Sequence, residues 1–331
     1  MLGGMLASAF TCAVALVVSG VDAHAQQKTA ATGAYPNRPI RMIDPFPPGG
    51  GTWVIGRVVE EKLAEILGQP IVHDNRGGAG GAIGTELAAR APADGYTLAL
   101  ATASTIAVNP VLSKVPYDPV RDFAPVGLLG SIPLLLVVHP SLPVKTVNDL
   151  IALAKSQKGG LNYASAGSGT LSHLAGELFK VTAGVSITHV PYKGGGPALN
   201  EIMGNQVQLF FANVLSGLPF AKAGRLRAVA VTGVKRSQVA PELPTVAESG
   251  FPRFTVSNWY GVLAPARTSS DIVMKLNLAI NRAVEMPDVR DKLANLGADA
   301  GGGTREEFGA HIKAELAKWG RVVKQADIRP E

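Results

Sequence analysis

Short apolar runs of strand type alternate with helical stretches along most of this chain, and that alternation restricts the fold more than any other feature. Ile40–Asp44 reads as a short buried strand. Thr52–Leu67 places apolar residues at 55, 58, 59, 63, 66 and 67, one face of a helix, with Gly68 just past its end. Ile71–His73 is a second strand, Gly81–Ala91 a second helix and Thr97–Ala101 a third strand. This order predicts βαβ units and a parallel sheet. The middle of the chain continues the alternation, with strands at Leu134–Val138, Asn162–Ala164, Ile187–Val190, Val207–Phe211 and Leu226–Thr232, and helices at Leu171–Thr182 and Pro197–Met203. Thr146-x-x-Asp149 resembles a capping box opening a helix to about Gln157, and Thr304-x-x-Glu307 opens a long amphipathic helix through Phe308, Ile312, Leu316, Trp319 and Val323. Trp259–Leu263 is a strand, followed by helices at Ser270–Glu285 and Pro287–Leu296.

A single β/α barrel and a pair of α/β lobes both accommodate this order. A barrel wants eight evenly spaced units. Here the middle strands are short, and residues 103–131 and 233–258 are long and Pro-rich. The expected fold class is therefore α/β in two lobes, with crossings near 131–138 and 229–263. Lobe 1 is expected to comprise 35–130 plus 234–331, and lobe 2 to comprise 131–233. A length of 331 residues, 47% of them hydrophobic, suits two such domains.

Residues 5–18, MLASAFTCAVALVV, are apolar but too short to span a membrane, and Ala23-His24-Ala25 follows with a small-x-small pattern. This predicts a signal peptide over residues 1–25 and a periplasmic protein. No Lys or Arg precedes Lys28, so the positive segment usual in a leader is missing, and a buried N-terminal helix stands as the alternative. The only cysteine, Cys12, lies inside the leader, which leaves no thiol for disulfides, metal or catalysis after cleavage. The net charge is +6 and rises by one when the leader is removed with its Asp22. A modestly basic surface attracts anions. No Lys/Arg run exceeds the pair Lys235-Arg236 and no aromatic-basic interleaving occurs, so nucleic acid is not expected as a partner.

Enzyme signatures fail on inspection. G-x-G-x-x-G breaks at Val54, Ile83, Ser172 and Leu199, no Gly-Lys pair forms a P-loop, and no H-E-x-x-H occurs. Ala166-Gly167-Ser168-Gly169-Thr170 is not a nucleophile elbow, because Ala and Thr flank it where glycines are needed. His73, His139, His173, His189 and His311 show no metal-ligand spacing, and each but His173 reads first as structural. No catalytic residue, cofactor or metal is expected.

Four segments share one design: a strand, a loop of small residues, then a helix. They are Pro45–Thr52, Arg76–Gly81, Gly167–Thr170 and Lys193–Pro197. Glycine lets backbone approach a ligand closely, and the free N–H groups of a helix start favour carboxylate or phosphate. Pro197 suits a first helical turn, where no N–H is needed. Each loop alone also reads as a tight βα turn.

These segments carry a family resemblance. The runs Tyr35-Pro36, Pro45–Gly50, Asn75-Arg76, Ala79–Gly81, Asp94–Leu98, Pro116–Pro119, Asn162-Tyr163, Gly167–Gly169, His173–Glu177, His189–Gly194, Ala230–Thr232 and Pro244–Glu248 resemble the Bug family, the extracytoplasmic receptors of tripartite tricarboxylate transporters. The resemblance spans residues 35–328. It implies a type II periplasmic-binding-protein fold, two hinge crossings, a ligand cleft between the lobes and no catalysis. It also implies a small organic carboxylate as ligand and membrane components as partners, with the receptor itself a monomer. A receptor for a signalling system, or a hydrolase or lyase on the same scaffold, are the alternatives. Carried over by position, the cleft residues are Phe46, Pro48, Gly49, Gly50, Gly51, Thr52 and Trp53, then Thr102, Ser104 and Thr105. Ser165, Gly167, Ser168, Gly169 and Thr170 follow, with His173 behind them, and then Gly194, Gly195, Gly196, Pro197 and Asn213. The chain departs from the family pattern at Trp53 and Ala212, where family members commonly carry Asp, and at Asp44, usually apolar. Losing two carboxylates from the cleft argues against an amino-acid ligand. Trp53 offers a flat face to an aromatic ring, or packs on the first helix. Asp44 caps nearby loop N–H groups, or serves a ligand ammonium.

Overall fold

A computed structural model describes residues 35–48, 51–157, 160–192 and 194–328. The leader at 1–25, Gly49, Gly50 and Lys193 lie outside the described residues. The chain opens with the expected βαβ units. Strands β1 (Ile40–Asp44), β2 (Ile71–Asn75) and β3 (Thr97–Thr102) pair in parallel, with Met42 opposite His73 and Asp44 opposite Asn75. Helices α1 (Gly51–Leu67) and α2 (Ala82–Ala89) make the crossovers. A π-helical turn, Ala103–Val108, and the short α3 (Asn109–Leu112) follow β3.

The strand β4, Phe123–Val138, is 16 residues long and organises the rest. Its first part pairs antiparallel with β9 (Ser257–Pro265), and its second with β7 (Leu209–Asn213) and β8 (Arg227–Val231). Sequence reading placed 123–131 in a connection. Pro125 and Gly130 disguise the strand, and the pairing tolerates them through register shifts between Pro125 and Gly127 and between Leu128 and Gly130. Beyond β7 lie β5 (Leu161–Ser165) and β6 (Ile187–Pro191), parallel to one another. The strand order is β2-β1-β3-β9-β4-β7-β5-β6, with β10 (Asp299–Ala300) and β8 also on β4. Two α/β lobes thus share β4.

Helices cover both sheet faces. α4 (Val147–Ser156), α5 (Leu171–Ala183) and α10 (Arg305–Gln325) join α2 in one core, which includes Tyr163, Phe179, Phe211, Trp259 and Trp319. α6 (Gly195–Met203), α7 (Val214–Lys222), α8 (Ser270–Glu285) and α9 (Pro287–Asn295) join α1 in the other. Both capping boxes form: Thr146 with Asp149, and Thr304 with Glu307. α7 escaped the sequence reading because Gly217 and Pro219 interrupt its pattern.

Where β4 passes from β9 to its β7 and β8 partners, Thr232 ties the crossing segments together. Its buried hydroxyl accepts the Leu134 N–H at 2.8 Å and donates to the Val256 carbonyl at 2.6 Å. Its backbone accepts from Val256 and donates to Leu134. No helix among the described residues is long and apolar enough to cross a membrane.

Candidate functional site

Three of the four glycine-rich loops meet at a cleft of about 600 Å3 lined from both lobes. Phe46, Gly80 and Ser104 come from the ends of β1, β2 and β3, and Ser168, Gly169 and Thr170 from the end of β5. In an open α/β sheet, ligands lie at the carboxyl ends of strands. The lobes touch here: a Cβ added at Gly169, whose φ is 75°, would stand 3.1 Å from Leu112. A cavity of about 650 Å3 beside the first turns of α8 and α10 contains none of the expected site residues.

The loops of the first lobe are fitted closely. A Cβ at Gly84 would lie 2.5 Å from the Arg76 carbonyl oxygen and 2.9 Å from the Pro45 Cα, both backbone atoms. Gly81, at φ 93°, packs on Phe46 and Pro45. Phe46 is held at both ends of its backbone. Its N–H donates to Asp44 Oδ1 at 3.0 Å, and its carbonyl accepts from Asn75 Nδ2 at 2.7 Å. Asp44 is fully buried, and its other oxygen pairs with His73. It therefore caps the loop and does not face a ligand ammonium. Ala212 is likewise fully buried, in the core under α7.

The Ser165–Thr170 loop is braced from behind. The Ser165 hydroxyl accepts the Gly167 N–H at 3.1 Å and pairs with His189 Nε2 at 2.6 Å. His173 Nδ1 accepts the Gly169 N–H at 3.0 Å, and its ring stacks on His189 at 3.8 Å. The Thr170 hydroxyl caps α5 by accepting from His173 N and donates to the Gly167 carbonyl at 2.6 Å. The amides of Gly167, Gly169 and Thr170 are thus taken up inside the loop. Ser168, Gly169 and Thr170 form the cleft side of this loop.

The remaining expected residues stand as follows. Thr102 and Thr105 are buried and cap one another across the π-helical turn, while Ser104 reaches the cleft. Asn213 caps α7 by accepting the Leu215 N–H at 2.9 Å. Pro48 is exposed, Gly51 is packed against the Tyr260 hydroxyl, Thr52 is buried and Trp53 half-buried on the first turn of α1. Gly194, Gly195 and Gly196 face open space, and Pro197 is exposed on the first turn of α6. The Gly194 N–H donates to the Ala166 carbonyl at 3.0 Å, so this loop adjoins the Ser168 loop.

Sequence reasoning missed the far wall, Asn109 and Leu112–Pro116. Nothing in its composition marks it except the Asn109-Pro110 turn. Two charges stand on the cleft, Glu86 and Lys114. Glu86 is paired with Arg90 at 2.5 Å, whereas Lys114 has no ion-pair partner among the described residues. The local balance favours an anion. No cluster of three or more potential metal ligands occurs among the described residues.

Residues 55–328 match the model of the tripartite tricarboxylate transporter family receptor. The chain is similar to the protein BugT of Bordetella pertussis, 40% identical over 297 residues, 89% of this chain and 91% of that protein. It is similar to a solved periplasmic transporter, at 43% identity and a TM-score of 0.76, covering 89% of this chain and 99% of the other. It is also similar to an R. palustris protein solved with adipate, at 38% identity and a TM-score of 0.76, covering 90% and 100%.

Proposed function

The chain belongs to the tripartite tricarboxylate transporter receptor family, and we propose that it is a non-enzymatic periplasmic receptor that captures a small non-amino carboxylate in its interlobe cleft. It then presents the loaded, closed form to the membrane components of the transporter, acting as a monomer exported through its leader. The observation that carries this reading is the cleft itself. Loops from both lobes line it, Lys114 supplies the unmatched charge, and the start of α5 borders it. The lobes in this reading are 35–130 with 234–331, and 131–233, and they close about the two crossings.

The chemical class follows from charge. A ligand ammonium entering a closed cleft needs an anion, because an unpaired buried charge is costly. Asp44 is sequestered, Ala212 is apolar and buried, and Glu86 already has Arg90. A carboxylate or dicarboxylate meets no such conflict. Adipate, the acid bound to the R. palustris relative, is a suitable first probe. Calorimetry with matched pairs tests the reading: succinate against aspartate, and phenylpropionate against phenylalanine, with adipate alongside. The non-amino acids should bind tighter. Tighter binding of aspartate or phenylalanine would overturn the assignment.

A further inference from the structure

We propose that Glu60, His73 and Asp44 form a buried positioning chain for the ligand-facing loop, in which a protonated His73 holds the Asp44 carboxylate against the Phe46 N–H. The chain runs through three elements. Glu60, on α1, lies 2.8 and 2.9 Å from His73 Nδ1 through its two oxygens. His73 Nε2, on β2, is 3.1 Å from Asp44 Oδ2. Asp44 Oδ1, at the end of β1, accepts the Phe46 N–H at 3.0 Å. All three side chains are buried, at 2%, 6% and 0% exposure.

The geometry dictates the protonation. An ionised carboxylate only accepts hydrogen bonds, so a ring with a carboxylate at each nitrogen must carry a proton on both. Burial pulls His73 down, but the hydrogen bonds and charges of Asp44 and Glu60 outweigh it and raise its pKa to about 9. The surrounding charges agree. Arg57, on α1, is 3.8 Å from Glu60, which makes a row of Arg57, Glu60, His73 and Asp44 alternating in sign and neutral as a whole. From β9, Tyr260 stands near Asp44, and burial together with the Asp44 charge keeps its phenol protonated. A buried row of this kind is stable when every member is matched, and removing one charge leaves its neighbour uncompensated.

The consequence is directional. Asn75 already holds the Phe46 carbonyl, so Asp44 decides whether its N–H is held too. Phe46 lines the cleft, so the row beginning at the half-exposed Arg57 ends at the cleft wall. His73 is a positioning residue: it acts on the site only through Asp44. The link to ligand rests on the carboxylate reading above, whereas the chain itself is tested without ligand.

Hydrogen exchange supplies that test. In a peptide spanning Met42–Pro48, Pro45, Pro47 and Pro48 carry no N–H, and Ile43 and Asp44 belong to β1, so Phe46 dominates the readable exchange. At pH 7.5, Phe46 should exchange at least tenfold faster in His73→Gln and Asp44→Ala than in the parent. Asp44→Asn, which keeps an acceptor, should restore most of the protection. Exchange in β3 serves as the reference. Unchanged Phe46 exchange in His73→Gln would overturn the proposal. Should the variants fail to fold, the parent alone decides. NMR of 13C-labelled histidine should show His73 still protonated at pH 8, with Phe46 protection, corrected for intrinsic exchange, falling between pH 8 and 10. A neutral His73 at pH 8, or protection that does not follow its titration, would refute it.

Discussion

Replacing Thr232 with valine removes one hydroxyl and changes almost no volume, at the point where the crossing segments lie side by side. The hydroxyl is fully buried, accepts from Leu134 N at 2.8 Å and donates to Val256 O at 2.6 Å. Valine leaves the Leu134 N–H without its acceptor. A buried unsatisfied donor costs about 1–3 kcal/mol, and the lost bond to Val256 adds about 0.5–1.5 kcal/mol. The isosteric methyl leaves no cavity term to add. Thr232→Val should therefore destabilise the protein by about 2–4 kcal/mol, which for a chain of this size lowers Tm by roughly 3–6 °C. Scanning calorimetry of parent, Thr232→Val and Thr232→Ser distinguishes the hydroxyl from the methyl. Serine keeps both hydrogen bonds and should retain at least half of the lost stability. Coincident melting of Thr232→Val and parent, or an equal loss in Thr232→Ser, would refute the assignment of Thr232 as the tie between the crossings.

The cleft makes its own predictions. Lys114→Gln should weaken binding of adipate about tenfold, the worth of one charge-assisted contact of roughly 1.5 kcal/mol, and the parent's affinity should fall with added salt; titration calorimetry at two ionic strengths checks both. Trp53→Asp should bring measurable binding of an amino acid if position 53 reaches the ligand, and leave the parent's selectivity intact if it packs only on α1. Gly84→Ala should drive Arg76 away from Pro45, since the two closest contacts of its new methyl are backbone, and cost about 1–3 kcal/mol together with ligand affinity; equal melting and equal affinity would contradict the close fit of the two loops. His73 contributes stability with a defined sign: its folded pKa, about 9, lies above the value near 6.5 of an unfolded chain. That contribution is fully present below pH 6.5 and lost as pH rises through 9, so Tm should fall more steeply between pH 7 and 10 in the parent than in His73→Gln.

What the sequence made legible was set by local chemistry. Ser270–Glu285 was readable to the residue because its apolar spacing is strict and Ser269 caps it. The helix starts after Thr146 and Thr304 were readable because a capping box needs only residues three apart. β4 was half visible. Leu134–Val138 is apolar throughout, but the pairing of 123–133 with β9 depends on residues more than a hundred positions away. α7 was hidden because Gly217 and Pro219 interrupt its apolar spacing, and Asn213, expected in the cleft, also caps its first turn.

The site divides along the same line. Glycine-rich loops at strand ends are a local signal, and they led to Phe46 and Ser168–Thr170, whereas Ser104 came from the family resemblance. Which amides those loops keep for themselves is not local. The Gly169 N–H is lost to His173 one helical turn on, and Gly167 to Ser165, whose hydroxyl is positioned by His189 from the next strand. The Asp44–His73–Glu60 row did leave one trace. Glu60 sits beside Val59 and Leu63 on the buried stripe of α1, and a carboxylate on that stripe must find a cationic partner. His73 and Asp44, neighbours once β1 and β2 pair, were the groups able to supply the proton and share it. A buried carboxylate on a largely apolar helix face therefore pointed across the sheet to the loop that lines the cleft.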